Sequence, residues 1–227
     1  MTASVFKLSP SDLTFLWDEC KRCFYLKVVR KFSRPAIPFP SIFTKIDGLM
    51  KDYFQGRLTS EFSPDLPPGV VLHSEKWVRS QPILLPGHSA QCYLTGKFDS
   101  AVKFEDGSFG VIDFKTSSPK ETHREFYARQ LRAYAYALEH PEAGKFTLSP
   151  ISRLGLLIVT PDAIERTSTG QIAYLGKVTW QEILPDEAAF LAFLGQVLSV
   201  LELPDPPEAA ESCTWCQYRQ AARMEEV

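Results

Sequence analysis

The chain has 227 residues, 44% of them hydrophobic, and a formal net charge of -2. That length and apolar content suit one substantial core, and the charge excludes a polycation that binds nucleic acid by bulk charge alone. No apolar run is long enough to span a bilayer, and the N-terminus MTASVFKLSPSD lacks a signal-peptide pattern, so a cytoplasmic protein is expected, with reduced or metal-bound cysteines.

In chain order, Ser9, Pro10 and Ser11 read as a helix start, with a helix running through Trp17 toward Leu26. From Cys20 to Ile46 there is no Asp or Glu, and Lys21, Arg22, Lys27, Arg30, Lys31, Arg34 and Lys45 all fall in that stretch. It reads as a solvated surface or as a phosphate-facing patch, with Lys21, Arg22, Lys27, Arg30 and Lys31 as candidate nucleic-acid contacts. Pro35, Pro38 and Pro40 end regular structure. Ile42 to Phe54 then has helical spacing, with Ile42, Ile46, Leu49, Met50, Tyr53 and Phe54 as its apolar set.

Past Pro64, Pro67 and Pro68 the pattern becomes β. Val70–Val78, Gln91–Phe104 and Phe109–Lys115 are strand candidates, the last two joined by a Glu-Asp-Gly-Ser turn. Glu121–Glu139 reads as a helix, Leu154–Thr160 and Ile172–Thr179 as strands, and Asp186–Leu201 as a helix. A Pro-rich linker leads to a short tail with two cysteines. The order helix, helix, three strands, helix, strand, strand, helix implies an α/β or α+β sandwich, with helices covering a mixed sheet.

The chemistry concentrates in Gly96-Lys97-Phe98-Asp99 and Gly110-Val111-Ile112-Asp113-Phe114-Lys115. Asp113 and Lys115 share one face of a strand. Hairpin pairing with residue numbers summing to about 213 sets Asp99 roughly opposite Phe114. Two carboxylates can hold a hard divalent cation, and a neighbouring ammonium can steady charge on a phosphate. A surface Asp113–Lys115 ion pair is the plainer reading, but the two charges interrupt an apolar strand.

These segments, with Gln130-Leu131-Arg132-Ala133-Tyr134 on the next helix, resemble the PD-(D/E)xK nuclease superfamily in its RecB-like branch. The resemblance implies a restriction-endonuclease-like α/β core, a central mixed sheet flanked by helices, over residues 1–227. It implies Mg2+ or Mn2+ held by Asp99, Asp113 and the Phe114 backbone carbonyl. Lys115 is then the catalytic lysine, and Gln130 and Tyr134 support DNA or nucleophile placement. The expected activity is hydrolysis of DNA phosphodiesters, exonuclease-like, on single strands or free ends. RecB-like nucleases carry a metal-binding His in an early helix. The helix Ile42–Phe54 has none, and Asp47 stands near that position as a substitute, with His73 a weak second choice. The missing His favours a second reading, a nucleic-acid-binding or structural module with weakened catalysis.

Cys20-x-x-Cys23 and Cys213-x-x-Cys216 supply four thiolates, enough for tetrahedral zinc or an iron–sulfur cluster. Cys92 stands alone and reads as a buried apolar residue. Cys20-Lys21-Arg22-Cys23-Phe24-Tyr25-Leu26 is similar to the early segment of the cysteine staple in AddB-type and CRISPR-associated exonucleases. There one Cys is early and three are C-terminal. Here the last Cys is absent, with Ala221 and Ala222 in its neighbourhood, and Cys23 is the candidate replacement. The resemblance thus implies a four-iron four-sulfur cluster, or zinc, and a tail over 208–227 that packs back on the first helix. Oligomeric state leaves no trace in the sequence.

Overall fold

The computed structural model describes residues 4–36, 38, 40–116 and 123–225. Strand β1 (Val5–Leu8) opens the chain, followed by a 3-10 turn at Pro10–Leu13. Helices α1 (Phe15–Glu19), α2 (Lys21–Val28) and α3 (Ser41–Phe54) come next. Six strands then run in series: β2 (Gly69–Ser74), β3 (Trp77–Arg79), β4 (Ile83–Leu84), β5 (Gln91–Lys97), β6 (Ser100–Phe104) and β7 (Phe109–Lys115). Helix α4 (Arg124–Glu139), strands β8 (Ile151–Ser168) and β9 (Gln171–Ile183), and helices α5 (Glu187–Leu201) and α6 (Thr214–Glu225) complete it. Residue Glu121, where the α4 helix was expected to begin, lies outside the described residues.

The five-stranded sheet has the order β2-β6-β7-β8-β9. It is mixed: β7 and β8 are parallel and the other pairs antiparallel. Helix α4 is the crossover between the parallel pair, as such a connection requires. All five residues Gly110–Phe114 are buried, since both faces of β7 are covered. Val111 joins the core that holds Leu131, Leu138, Leu154 and Leu156. Ile112 and Phe114 join Met50, Phe54, Val102 and Leu157 under α3. The chain is therefore an α/β fold with a central mixed sheet flanked by helices.

Three expectations need correction. The helix drawn from residue 9 to Leu26 is broken, with β1 ahead of it. Cys20 is extended at φ -166°, ψ 109° and separates α1 from α2. Val70–Val78 and Gln91–Phe104 are each two strands, not one. The chain leaves the large sheet at Glu75, whose φ of 55° is unusual for a residue with a Cβ, and enters a smaller sheet of β1, β3, β4 and β5. It returns at Phe98 and Asp99, between β5 and β6. The two crossings lie side by side: Glu75 N donates to Asp99 O at 2.9 Å and Phe98 N to Lys76 O at 3.3 Å. Third, the apolar set of α3 is only half used. Met50 and Phe54 are buried, whereas Ile42, Leu49 and Tyr53 are exposed.

Helix α5 begins on Asp186, whose Oδ1 accepts the Ala189 N–H at 2.8 Å, an ordinary N-cap. It buries Phe190, Leu194, Val197, Leu198 and Leu201 against the core. Its C-terminus is tied down by Glu202. Oε1 accepts Ser89 N at 2.7 Å, Ser89 Oγ at 3.0 Å and Ala90 N at 2.7 Å, and Oε2 meets His88 Nδ1 at 2.8 Å. Burial alone would raise the Glu202 pKa, but His88 and the Ala90 and Ser89 donors outweigh it and hold it at about 2, against 4.5 ordinarily. A carboxylate held low stabilises the fold above its unfolded pKa and loses that contribution as pH falls toward the folded value. Glu202→Gln is expected to lower stability by about 2 kcal/mol at neutral pH, the scale of a charge-assisted hydrogen bond. In urea titrations the gap between wild type and variant should close between pH 4.5 and 2. A gap independent of pH would show that the Glu202 charge contributes nothing.

Candidate functional site

The two crossings bring the charged residues together. Strand β6 pairs with β7 as Ser100 opposite Ile112, one off the expected register. The hairpin closes more tightly, around Gly107 at φ 87°. Asp99 is thus not on a strand but in the bend just before β6. Its Oδ2 still reaches β7 and accepts the Phe114 N–H at 3.0 Å. Asp113 sits next to that amide and is 5% exposed. The Lys115 ammonium pairs with Asp113 Oδ2 and lies 4.7 Å from the centre of the Tyr127 ring.

Burial is the largest influence on Asp113. It lifts the carboxyl to about 6; Lys115 offsets part of this, and the Asp99 charge adds to it. For Lys115 burial works against the charged form, but Asp113 more than compensates, and the ammonium is held charged. Asp99 and Asp113 therefore feel one another at the end of β7, with Lys115 at the same place.

Gln130 and Tyr134 reach the site from α4. Tyr134 Oη donates to the Lys97 carbonyl at 2.9 Å, and Gln130 lies about one helical turn before Tyr134 on the same face of α4. Burial, then Asp113 and Asp99, push the Tyr134 phenol above its usual value. The ring lies over Gly96: a Cβ there would meet Pro10 Cδ at 3.0 Å and Tyr134 Cε1 at 3.3 Å. That close approach is the physical reason for a glycine three residues before Asp99.

Three residues that sequence reasoning passed over also belong to the site. Lys51 Nζ lies 2.9 Å from Asp99 Oδ1, 2.7 Å from Asp47 Oδ2 and 3.2 Å from Glu75 Oε1. Glu75 also pairs with Lys97 at 3.0 Å. Tyr127 backs Lys115. The only hint of Lys51 in the sequence is its i, i+4 spacing from Asp47, a pattern common on solvated helix faces. Asp47 is on the site's rim, more than a third exposed, and its ligand there is Lys51. His73 lies on β2, and its side chain is outside the described set.

The donor set is all-oxygen and lies in a partly dry place, which suits a hard divalent cation. Asp99, Asp113 and the Phe114 carbonyl could hold one. A cation is already drawn to Asp99, in the form of the Lys51 ammonium.

Among the described residues, one set of three or more His, Cys, Asp or Glu side chains converges closely enough for a metal: Cys20, Cys23, Cys213 and Cys216. All four sulfurs lie within 4.8 Å of one another. Cys20–Cys216, Cys23–Cys213 and Cys23–Cys216 are 3.9, 3.7 and 3.6 Å apart. Cys23 faces both tail cysteines. The extended backbone at Cys20 that breaks the first helix is what places both thiols of the early pair at the tail. Arg34 Nη2 lies 3.5 Å from Cys213 Sγ and pairs with Glu19. Burial opposes ionisation of Cys20, but the Ala210 and Cys23 amides outweigh it and bring its thiol down to about 7. Cys92 is apart from this group, fully buried, its thiol pushed up to about 12 by burial.

The basic stretch is largely engaged in the fold. Lys21 stacks 3.4 Å from the Trp17 ring centre, and burial brings it down to about 8. Arg22 donates to Pro207 O at 3.0 Å, Lys27 pairs with Asp12, and Lys31 donates to Val28 O at 2.7 Å. Arg30 is exposed. No helix among the described residues is long and apolar enough to cross a membrane.

Among curated proteins no relative matches. Among solved structures, the crystal structure of SSO0001 aligns with 88% of this chain and 79% of its own, at 16% identity and a TM-score of 0.49. The family described as the PD-(D/E)XK nuclease superfamily matches residues 49–221, a span that holds Lys51, both crossings, β7, α4 and the tail cysteines. The chain belongs to the PD-(D/E)XK nuclease superfamily.

Proposed function

We propose that this protein is a metal-dependent DNA nuclease of the RecB-like branch, hydrolysing phosphodiesters on single strands or free ends, with residues 1–227 acting as one unit. The observation that carries the reading is the buried Asp113–Lys115 pair beside Asp99 at the end of β7. A bound Mg2+ or Mn2+ supplies a water of lowered pKa and a polarised phosphoryl oxygen. Asp99 and Asp113 would hold the ion, with the Phe114 carbonyl as a third oxygen. Lys115, kept charged by Asp113, presents its ammonium to the attacking oxygen or to a phosphate oxygen, where negative charge grows. Tyr127 restricts where that ammonium can point. Tyr134 ties α4 to β5 through the Lys97 carbonyl, and Gln130 and Tyr134 together support placement of DNA or the nucleophile. Arg30, with Lys21, Arg22, Lys27 and Lys31 nearby in sequence, is the candidate backbone contact. The test is cleavage of end-labelled single- and double-stranded DNA with Mn2+, wild type against Lys115→Ala. Equal cleavage by both, or none by either, would sink the mechanism.

A second reading, a nucleic-acid-binding module with weakened catalysis, draws on one observation: the early helix presents a Lys51 ammonium, and no His, to Asp99. DNA binding without cleavage in the same assay would establish it.

For the cysteines we infer a single tetrahedral ion, zinc. Four thiolates about 2.3 Å from one zinc stand about 3.8 Å apart; three of the six sulfur separations are 3.6 to 3.9 Å and all six are within 4.8 Å. An iron–sulfur cube needs room between its thiolates for four irons and holds them farther apart. Arg34 offsets part of the negative charge of four thiolates on one Zn2+. One zinc and no iron per chain in anaerobically purified protein is the expected metal content.

A further inference from the structure

Lys51 is 8% exposed and lies on the face of α3 that packs on the sheet. Its ammonium has three N–H donors, and three carboxylates, Asp47, Glu75 and Asp99, stand within 3.2 Å of it. The other oxygen of Asp99 takes the Phe114 N–H. Both oxygens of a carboxylate proposed as a metal ligand are thus already engaged by donors. Glu75 is brought here by a backbone conformation that disfavours any side chain, and Lys97 also pairs with it. The arrangement is a built cation seat, not a surface ion pair formed by chance.

A divalent ion on Asp99 Oδ1 and an ammonium 2.9 Å from the same atom repel strongly in a partly desolvated place. Both cannot stay. We propose that Lys51 is a built-in competitor for the metal: a divalent ion reaches Asp99 only by displacing the Lys51 ammonium, so Lys51 sets the metal affinity of the site. This rests on the metal-dependent reading above and adds to it a residue that determines when the site is loaded. Once displaced, the ammonium keeps Asp47 and Glu75 as partners on the rim, which gives it a second place to rest.

The test is Mn2+ binding to the full chain, read from the loss of the free-Mn2+ electron paramagnetic resonance signal. Lys51→Met removes the charge at similar length and is expected to tighten binding at one site by about tenfold or more. Lys51→Arg keeps the charge and should stay near wild type. The gain should vanish in Lys51→Met with Asp99→Asn, which also subtracts any Mn2+ held at the cysteines. Affinity in Lys51→Met no tighter than wild type, or a gain that survives Asp99→Asn, overturns the proposal. Should Lys51→Met be unfolded without metal, circular dichroism decides: folding restored by millimolar Mn2+ supports competition, and a chain that stays unfolded overturns it. Wild-type cleavage without any gain in Lys51→Met sinks this inference and leaves the nuclease reading standing. An Asp99-dependent gain in a protein that cleaves nothing does the reverse.

Discussion

Lys115→Ala is expected to lose DNA cleavage by about a hundredfold to a thousandfold, the scale on which one preorganised stabilising donor acts. It is also expected to lose stability, because Asp113 is left buried without its partner. Breaking a buried pair on one side costs about 3–5 kcal/mol, whereas replacing both sides together is often neutral. The two effects separate in a double variant. Asp113→Asn with Lys115→Met should recover most of the stability in urea titrations and none of the activity. The Asp113 carboxyl, already lifted to about 6 by burial, should rise further when Lys115 alone is removed. If Lys115→Ala cleaves as well as wild type, Lys115 is a structural ion pair. If the double variant is as unstable as the single, the loss comes from packing against Tyr127 and not from charge.

Loss of the cysteine site is the second large effect. Cys23 is 190 residues from Cys213 in sequence and 3.7 Å from it in space. A cross-link closing so long a loop stabilises the folded state by about 5 kcal/mol on chain-entropy grounds. Near 200 residues each kcal/mol shifts the melting temperature by about 2–4 °C. Cys23→Ser is therefore expected to release the metal and to melt about 10–20 °C lower. Cys92→Ala should keep the metal, since Cys92 touches none of the four. Strong chelation should move wild type toward the Cys23→Ser melting temperature and leave that variant unchanged. A variant that melts with wild type would mean that the tail is held without the ion.

What the sequence discloses follows physical rules. Asp113 and Lys115 stand out because charges are costly in an apolar strand. Gln130 and Tyr134 stand out because four residues make one helix turn. Both Cys-x-x-Cys pairs are visible because little but a metal asks for that spacing twice. The superfamily and the central mixed sheet are legible for these reasons. The crossings are not. Val70–Val78 reads as one β-rich run with a polar middle, and no glycine announces the positive φ at Glu75. Asp99 is hidden inside another such run. Lys51 is hidden because a lysine on a half-apolar helix usually reaches for water, and only the fold reveals three carboxylates waiting for it. The break at Cys20 is likewise a tertiary effect, set by where the tail cysteines lie.

The paired crossings have a mechanical consequence. The chain steps directly between the two sheets at two adjacent points, bonded to each other through Glu75 N and Asp99 O. If the small sheet rocks against the large one, that bond lies on the pivot. Displacement grows with distance from a pivot and is least at it. Glu75 and Asp99 are therefore the residues whose spacing to β7 changes least.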